Sequence, residues 1–364
     1  MSDKTKINVG SRKSVLALIQ TNHVIEKLKE IHQDLTFEIV SMNTTGDNIL
    51  DKALPKIGEK SLFTKELEIA LENKSVDFVV HSLKDLPTDL PSGLALGAIL
   101  EREDPRDALI LNKKWSGKTL ATLPSGCVLG TSSLRRAAQL ARNYPHLKVE
   151  NIRGNLNTRL RKLDEDNTFF DGIILAVAGI VRMKWEDRIS EYLEPGSMLY
   201  AVGQGALAVE CRDGDRRIIS LIEPLHHQAT LMRIIAERAF LNTLGGGCSA
   251  PVAVCTEFQQ GSVTMTGAVW SLDGKETLQE EMTRSLEAEE NEVDCGGQEV
   301  GSGEPARKSI RHDASTYFGV HPGSIKTGHL QCARNLGINL AHELIARGAL
   351  KIMSVAKQTI NATP

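Results

Sequence analysis

The sequence predicts an α/β protein with two lobes, each on a parallel or mixed sheet, followed by a small α+β domain. Three observations lead there. A strand–turn–helix layout runs through residues 7–100 and starts again at residue 127. Two segments, 101–106 and 203–205, read as crossings between the halves, and after residue 230 the order changes to helix, strands, helix. At 364 residues the chain exceeds what one hydrophobic core serves.

In the first lobe, residues 7–10 form a strand, followed by Ser11-Arg12-Lys13-Ser14 and a helix with Val15, Leu18, Ile25 and Leu28 apolar. Residues 36–42 are a second strand. The polar stretch 43–61 is long for a connection and reads as a lid. A helix over 62–71 leads to the strand at 78–80, after which Ser82, Lys84 and Asp85 occupy a turn closed by Pro87. Ligand sites of open α/β sheets form at that carboxyl end. Residues 94–100 are a further strand.

The second lobe repeats the scheme: strand 127–130, helix 133–142, strand 148–152, helix 156–163 and strand 172–177, with a parallel sheet and right-handed crossovers expected. The strand at 206–211 returns to the first sheet, so two crossings would make a hinged cleft. The third region comprises helix 231–244, strand 251–256, a hairpin around Gly261 with strand 263–270, strand 277–282 and helix 331–346. Residues 287–329, rich in Glu, Gly and Ser, read as a largely disordered insertion. The expected domains are 1–101 with 203–226, 102–202, and 227–364.

Composition bounds the function. Hydrophobic residues at 41% and charged residues at 24% suit a soluble globular protein. A net charge of −3 and a pI near 6.4 disfavour a general nucleic-acid binder. The start, Met-Ser-Asp-Lys-Thr-Lys, lacks an apolar signal core and no run is long enough to span a bilayer, so a cytoplasmic protein is expected. The six cysteines contain no C-x-x-C pair and the ten histidines no metal-ligand spacing, so neither a disulfide framework nor a metal site is expected.

Residues 131–163 hold eight basic residues against Glu150 alone. Arg142, Lys148, Arg161 and Lys162 read as solvated helix faces. Arg135 and Arg136 follow Gly130-Thr131-Ser132-Ser133 at a strand-to-helix turn, where backbone N–H groups and the helix dipole favour an anion. Arg153, Gly154 and Asn155 occupy the next such turn, with Arg159 beyond, and Arg12 with Ser14 repeats the pattern in the first lobe. Arginine suits bidentate grip of carboxylate or phosphate. With no G-x-x-x-x-G-K-[ST] loop and 4% aromatic residues, a small organic polycarboxylate is the most economical ligand. Cys248 follows three glycines that allow a sharp, exposed turn, although on this feature alone a free cysteine reads first as a buried structural residue.

Together these segments resemble the porphobilinogen deaminase (hydroxymethylbilane synthase) family. The match runs through Val9-Gly10-Ser11-Arg12-Lys13-Ser14, Thr44-Thr45-Gly46-Asp47, Gly58 to Leu67 and His81-Ser82-Leu83-Lys84-Asp85-Leu86-Pro87-Thr88. It continues through Gly130 to Arg136, Ile152 to Arg159, Gly203-Gln204-Gly205-Ala206-Leu207 and Gly246-Gly247-Cys248. The resemblance implies two lobes similar to type II periplasmic binding proteins and a C-terminal domain bearing a dipyrromethane cofactor. It implies head-to-tail joining of four porphobilinogen molecules with loss of ammonia, then hydrolytic release of 1-hydroxymethylbilane. The charge balance, the lack of long apolar runs and the lack of any pattern for an obligate interface lead to the expectation of a cytoplasmic monomer with no nucleic-acid or membrane partner.

By the same resemblance Cys248 is the thioether tether and Asp85 the catalytic acid. Lys84, Arg12, Arg135, Arg136, Arg153, Arg159 and Arg182 pair with carboxylates of cofactor and substrate. Ser14, Ser82, Thr131, Ser132, Ser133 and Gln204 add neutral hydrogen bonds, and Phe63 packs on a pyrrole ring. The chain departs from the family's Arg-x-Leu-Glu-Gly-Gly-Cys at Asn242 and Gly245, which puts the rigidity of the cofactor loop in question. The alternative is a non-catalytic carboxylate-binding relative of periplasmic-binding-type proteins.

Overall fold

The computed structural model describes residues 5–48, 63–245, 250–286 and 316–362. The first lobe contains β1 (Lys6–Arg12), α1 (Val15–Ile31), β2 (Thr36–Met42), the short α2 (Thr45–Asn48), α3 (Lys65–Glu72), β3 (Phe78–Ser82) and β4 (Leu94–Ile99). The second contains β5 (Asp107–Leu111), β6 (Val128–Gly130), α4 (Leu134–Asn143), β7 (Lys148–Glu150), α5 (Leu156–Asp164), β8 (Gly172–Ala176), α6 (Val177–Arg182) and β9 (Glu191–Leu193). Then come β10 (Leu207–Arg212), α7 (Arg216–Ile222), α8 (Gln228–Thr243), β11 (Val252–Gln259), β12 (Ser262–Trp270), β13 (Thr277–Ser285), α9 (Thr327–Ala346) and α10 (Ala349–Ala362).

The first sheet has the order β2-β1-β3-β10-β4. β1 runs parallel to β2 and β3, and β10 enters antiparallel between β3 and β4. The returning strand expected at 206–211 is therefore β10. The second sheet, β7-β6-β8-β5-β9, is mixed: β6 runs parallel to β7 and β8, as the βαβαβ pattern of 127–177 indicated, while β5, outside that series, lies antiparallel to both β8 and β9. β5 is wholly buried, yet its first residue is an aspartate that follows a charged, Pro-containing run. That polar approach hides the strand in the sequence.

Both crossings are tied to α8. The Arg102 guanidinium donates to Glu237 Oε1 and Oε2 at 2.5 and 3.1 Å and to the Gln204 carbonyl at 2.7 Å, while Gly203 N–H donates to Glu237 Oε2 at 2.8 Å. An ion pair this buried is tolerated because its remaining donors and acceptors are also met. α8 packs in turn on α9, where Gly337 permits the approach: a Cβ there would sit 2.0 Å from the Ala236 carbonyl oxygen. β11, β12 and β13 form an antiparallel sheet beside these helices.

The structure corrects part of the expected insertion. Residues 287–315 lie outside the described residues, but 316–326 are folded, and Gly319 to His321 pair with β4. Leu96 N–H donates to the Gly319 carbonyl at 2.7 Å and His321 N–H to the Leu96 carbonyl at 2.9 Å, a parallel bridge between Leu96 and Val320. Main-chain pairing needs no apolar side chains, so the low hydrophobicity of the segment did not reveal it. α10, which the sequence pattern also did not indicate, continues beyond α9. Among the described residues no helix is long and apolar enough to cross a membrane, and no group of three acidic, histidine or cysteine side chains is placed to hold a metal ion.

Candidate active site

β3 delivers the central turn. Its residues are buried as far as His81, and Leu83 to Asp85 then wind into one turn of 3-10 helix with Leu83 in the core. The second crossing locks this turn. Leu83 N–H donates to the Ala206 carbonyl at 3.0 Å. Gly203, at φ +73, runs so close that a Cβ would lie 2.9 Å from the Leu83 side chain and 3.3 Å from Lys84 N. Leu83 thereby anchors the turn, Lys84 points among the cleft cations, and Asp85 is exposed at the mouth.

Three helix starts face this turn. Ser14 accepts from Ala17 N–H at 3.3 Å to cap α1, Ser133 from Arg136 N–H at 3.4 Å to cap α4, and Asn155 Oδ1 from Thr158 N–H at 3.1 Å to cap α5. An unsatisfied helix start gains about 1 kcal/mol from such a cap. The same turns place Arg12, Arg136, Arg153 and Arg159 around a cavity of about 480 Å³, with Arg182 arriving from the end of α6. Arg159 Nε donates to the Gly154 carbonyl at 2.8 Å and Arg182 to the Gly205 carbonyl at 2.7 Å. The Arg12 guanidinium lies 4.5 Å from the Phe63 ring centroid, and a Cβ on Gly46 would come within 2.4 Å of that ring.

Of the residues singled out in the sequence, Arg12, Ser14, Phe63, Ser82, Lys84, Asp85, Arg136, Arg153, Gly154, Asn155, Arg159 and Arg182 share this cavity. Thr131, Ser132, Ser133, Arg135 and Gln204 do not line it. Thr131 Oγ1 accepts from Ser133 N–H at 3.1 Å, and Ser132 donates to Asn151 Oδ1 and to the Ile152 carbonyl, so these residues shape the turn. Cys248 lies outside the described residues. Just before it, Gly245 takes φ +65, a left-handed conformation that a glutamate would adopt only with strain. Asn242 Nδ2 donates to Thr88 Oγ1 at 3.1 Å and to Asp89 Oδ1 at 3.0 Å. The two family departures thus end α8 and tie it to the segment after Asp85.

Two contributors escaped the sequence reading. Gln20 lines the cavity and donates to Ser82 Oγ at 2.8 Å. Asp107, at the head of β5, accepts from Arg135 and Arg136 at 2.7 Å each and from Gln204 Nε2 at 2.8 Å. An aspartate opening an otherwise aliphatic, buried strand is the signal that could have found it, since a buried carboxylate needs cations.

The charges crowd one another. Burial pushes the Lys84 pKa down to about 8, with Arg136 and Arg135 adding to the effect while Asp85 and Asp107 oppose it. Burial, then Arg136 and Arg153, lower Arg159 to about 10, and burial lowers Arg182 to about 10. Burial alone would raise Asp107, but Arg135 and Arg136 hold it well below the usual carboxylate range. A polyanionic ligand relieves this repulsion. Since the fold favours neutral Lys84, its charged form costs stability below pH about 8, and that cost fades as pH climbs toward the free-lysine value of about 10.4. For carboxylate binding the sign is opposite. Substrate kcat/KM should fall as pH rises through about 8, and Lys84→Arg should move that alkaline limb upward; an unmoved limb in a pH–rate profile assigns it to another group.

Residues 7–220 match the profile described as porphobilinogen deaminase, dipyromethane cofactor binding domain, and residues 231–301 match porphobilinogen deaminase, C-terminal domain. The porphobilinogen deaminase of Gloeobacter violaceus is 56% identical over 269 residues, covering 73% of this chain and 81% of that protein. That of Synechococcus elongatus is 52% identical over 277 residues, covering 76% and 86%. That of Prochlorococcus marinus is 47% identical over 348 residues, covering 96% of each. Among solved structures, the methionine-binding protein MetQ is similar at 14% identity and a TM-score of 0.37, covering 61% of this chain and 90% of that one. The profile across both lobes and relatives near half identity agree with a cleft of cations around one exposed carboxylate: the chain belongs to the porphobilinogen deaminase family.

Proposed function

We propose that the chain is a hydroxymethylbilane synthase, a transferase of tetrapyrrole and haem synthesis. It condenses four porphobilinogen molecules head to tail on a covalent dipyrromethane, expels ammonia at each addition and releases 1-hydroxymethylbilane by hydrolysis. The observation that carries this reading is the convergence of Arg12, Lys84, Arg136, Arg153, Arg159 and Arg182 on a cavity bordered by Asp85.

The residues present fit the cofactor. A dipyrromethane of two substrate units carries two carboxylates per ring, and the cavity offers cations from both lobes. Arg136 lines the cavity, and its buried Nε has no partner among the described residues, a donor awaiting an acceptor. Cys248 is the proposed tether. When bound, the group supplies the pyrrole carbon onto which the first substrate is joined.

The chain's own residues then act on porphobilinogen. Arg and Lys pair with its acetate and propionate, each charge-assisted bond worth about 1.5–3 kcal/mol. They hold the aminomethyl carbon near the Asp85 carboxylate. As ammonia departs, the C–N bond electrons leave with nitrogen and positive charge spreads over the pyrrole; the carboxylate at the pyrrole N–H stabilises it. After the new C–C bond forms, Asp85 is placed to take the proton lost from the attacking ring carbon. Ser14, Ser82 and Gln20 add neutral hydrogen bonds, and Phe63 offers a ring face beside Arg12.

We take the domains to be 1–101 with 203–226, 102–202, and 227–364, and the protein to work as a cytoplasmic monomer on small molecules. A non-catalytic carboxylate binder would have no use for an exposed acid beside a half-buried lysine. Intact-protein and peptide mass spectrometry tests the proposal: the purified chain should carry the added mass of two linked pyrrole units on Cys248. An unmodified Cys248 after expression with ample porphobilinogen would overturn it.

A further inference from the structure

We infer that Asp107 is a positioning residue that sets the aim of Arg136 into the cleft and couples that aim to the two crossing segments. This rests on the synthase reading just given.

Asp107 is fully buried and directly follows the first crossing. Its Oδ2 accepts from Arg135 at 2.7 Å, and its Oδ1 accepts both from Arg136 at 2.7 Å and from Gln204 at 2.8 Å. Gln204 belongs to the second crossing, and its Nε2 also donates to the Pro105 carbonyl at 2.7 Å, on the first. One carboxylate therefore joins both crossings to two neighbouring arginines.

The arginines are treated differently. Arg135 turns away from the cavity and shares Nη1 with the Leu199 carbonyl at 2.6 Å. Arg136 lines the cavity. Its Nη1 is held by the Ile174 carbonyl at 2.9 Å and its Nη2 by Asp107, while Nε has no partner among the described residues. With both ends of the fork fixed, the guanidinium cannot swing, and the Nε edge remains for a carboxylate. Of the two positive charges Asp107 neutralises one, which leaves one for the ligand. Any change in lobe angle that moves Gln204 relative to Asp107 also moves the anchor of Arg136. The grip on substrate thus depends on how far the lobes are open.

The test uses Asp107→Asn and Gln204→Met, assayed on the cofactor-loaded fraction counted by intact mass, with wild type in parallel. Asp107→Asn should raise KM for porphobilinogen about tenfold or more, the worth of one charge-assisted hydrogen bond, with a smaller change in kcat. It should also shift the alkaline limb of kcat/KM downward, because Lys84 loses a carboxylate that favours its charged form; Asp107→Glu should restore part of both. Gln204→Met keeps both arginine pairs and removes the Nε2 bonds that tie the second crossing to Asp107 and to the Pro105 and Arg106 carbonyls, so it should raise KM without moving that limb. Loaded variants with wild-type KM and an unmoved limb, even if they melt earlier, would show a merely structural role and overturn the inference. Should Asp107→Asn not fold, an unchanged KM in Gln204→Met overturns the coupling. If wild type itself makes no hydroxymethylbilane, the synthase reading fails; wild-type turnover with unaltered variants removes only the role of Asp107.

Discussion

Asp85→Asn should leave a folded, cofactor-bearing chain and lower turnover about a thousandfold, within the range expected for a positioned acid–base group. Asp85 is exposed at the cleft mouth, and substitutions at such positions usually change stability by about 0.5 kcal/mol or less. The amide keeps the shape but can neither face a developing cation with full charge nor accept a proton. Thermal melting and the mass of the Cys248 peptide should match wild type while hydroxymethylbilane formation slows by about that thousandfold factor. Near-normal activity would remove Asp85 from its assigned role.

The second large effect is on assembly. Arg135→Ala deletes a buried cation from Asp107 and a donor from the Leu199 carbonyl. Breaking one side of a buried pair costs about 3–5 kcal/mol; because Arg136 and Gln204 still bond Asp107, the lower end applies. The melting temperature should drop, and intact mass should show largely unloaded chain because the α4 turn that frames the cleft loses its anchor. A fully loaded variant with wild-type melting would contradict this.

The helix starts were legible because Ser14, Ser133 and Asn155 each sit one residue before an amphipathic run, and the structure uses all three as caps. The clustering of cations at those turns was legible for the same local reason. Arg135 and Arg136 were not distinguishable. Adjacent helix positions point about 100° apart, so one faces the cleft and the other the crossing, and only the position of Asp107 settles which. β5 was hidden since its pairing partner β8 lies more than sixty residues away, and its polar entry breaks the apolar pattern. The folded part of the insertion was hidden because its contacts run through main chain to Leu96 and through the Phe318 carbonyl, which accepts from Arg238 at 2.9 Å.

That last segment has a bearing on solubility. β4 ends the first sheet, and every one of its residues is buried. Bare, such a strand would present a row of unpaired N–H and C=O groups to any second chain, the geometry from which sheet-to-sheet aggregation grows. Gly319 to His321 occupy part of that row at Leu96. The insertion's tail therefore acts as a guard on the sheet's open side, built from the same chain and held in place by α8 through Arg238.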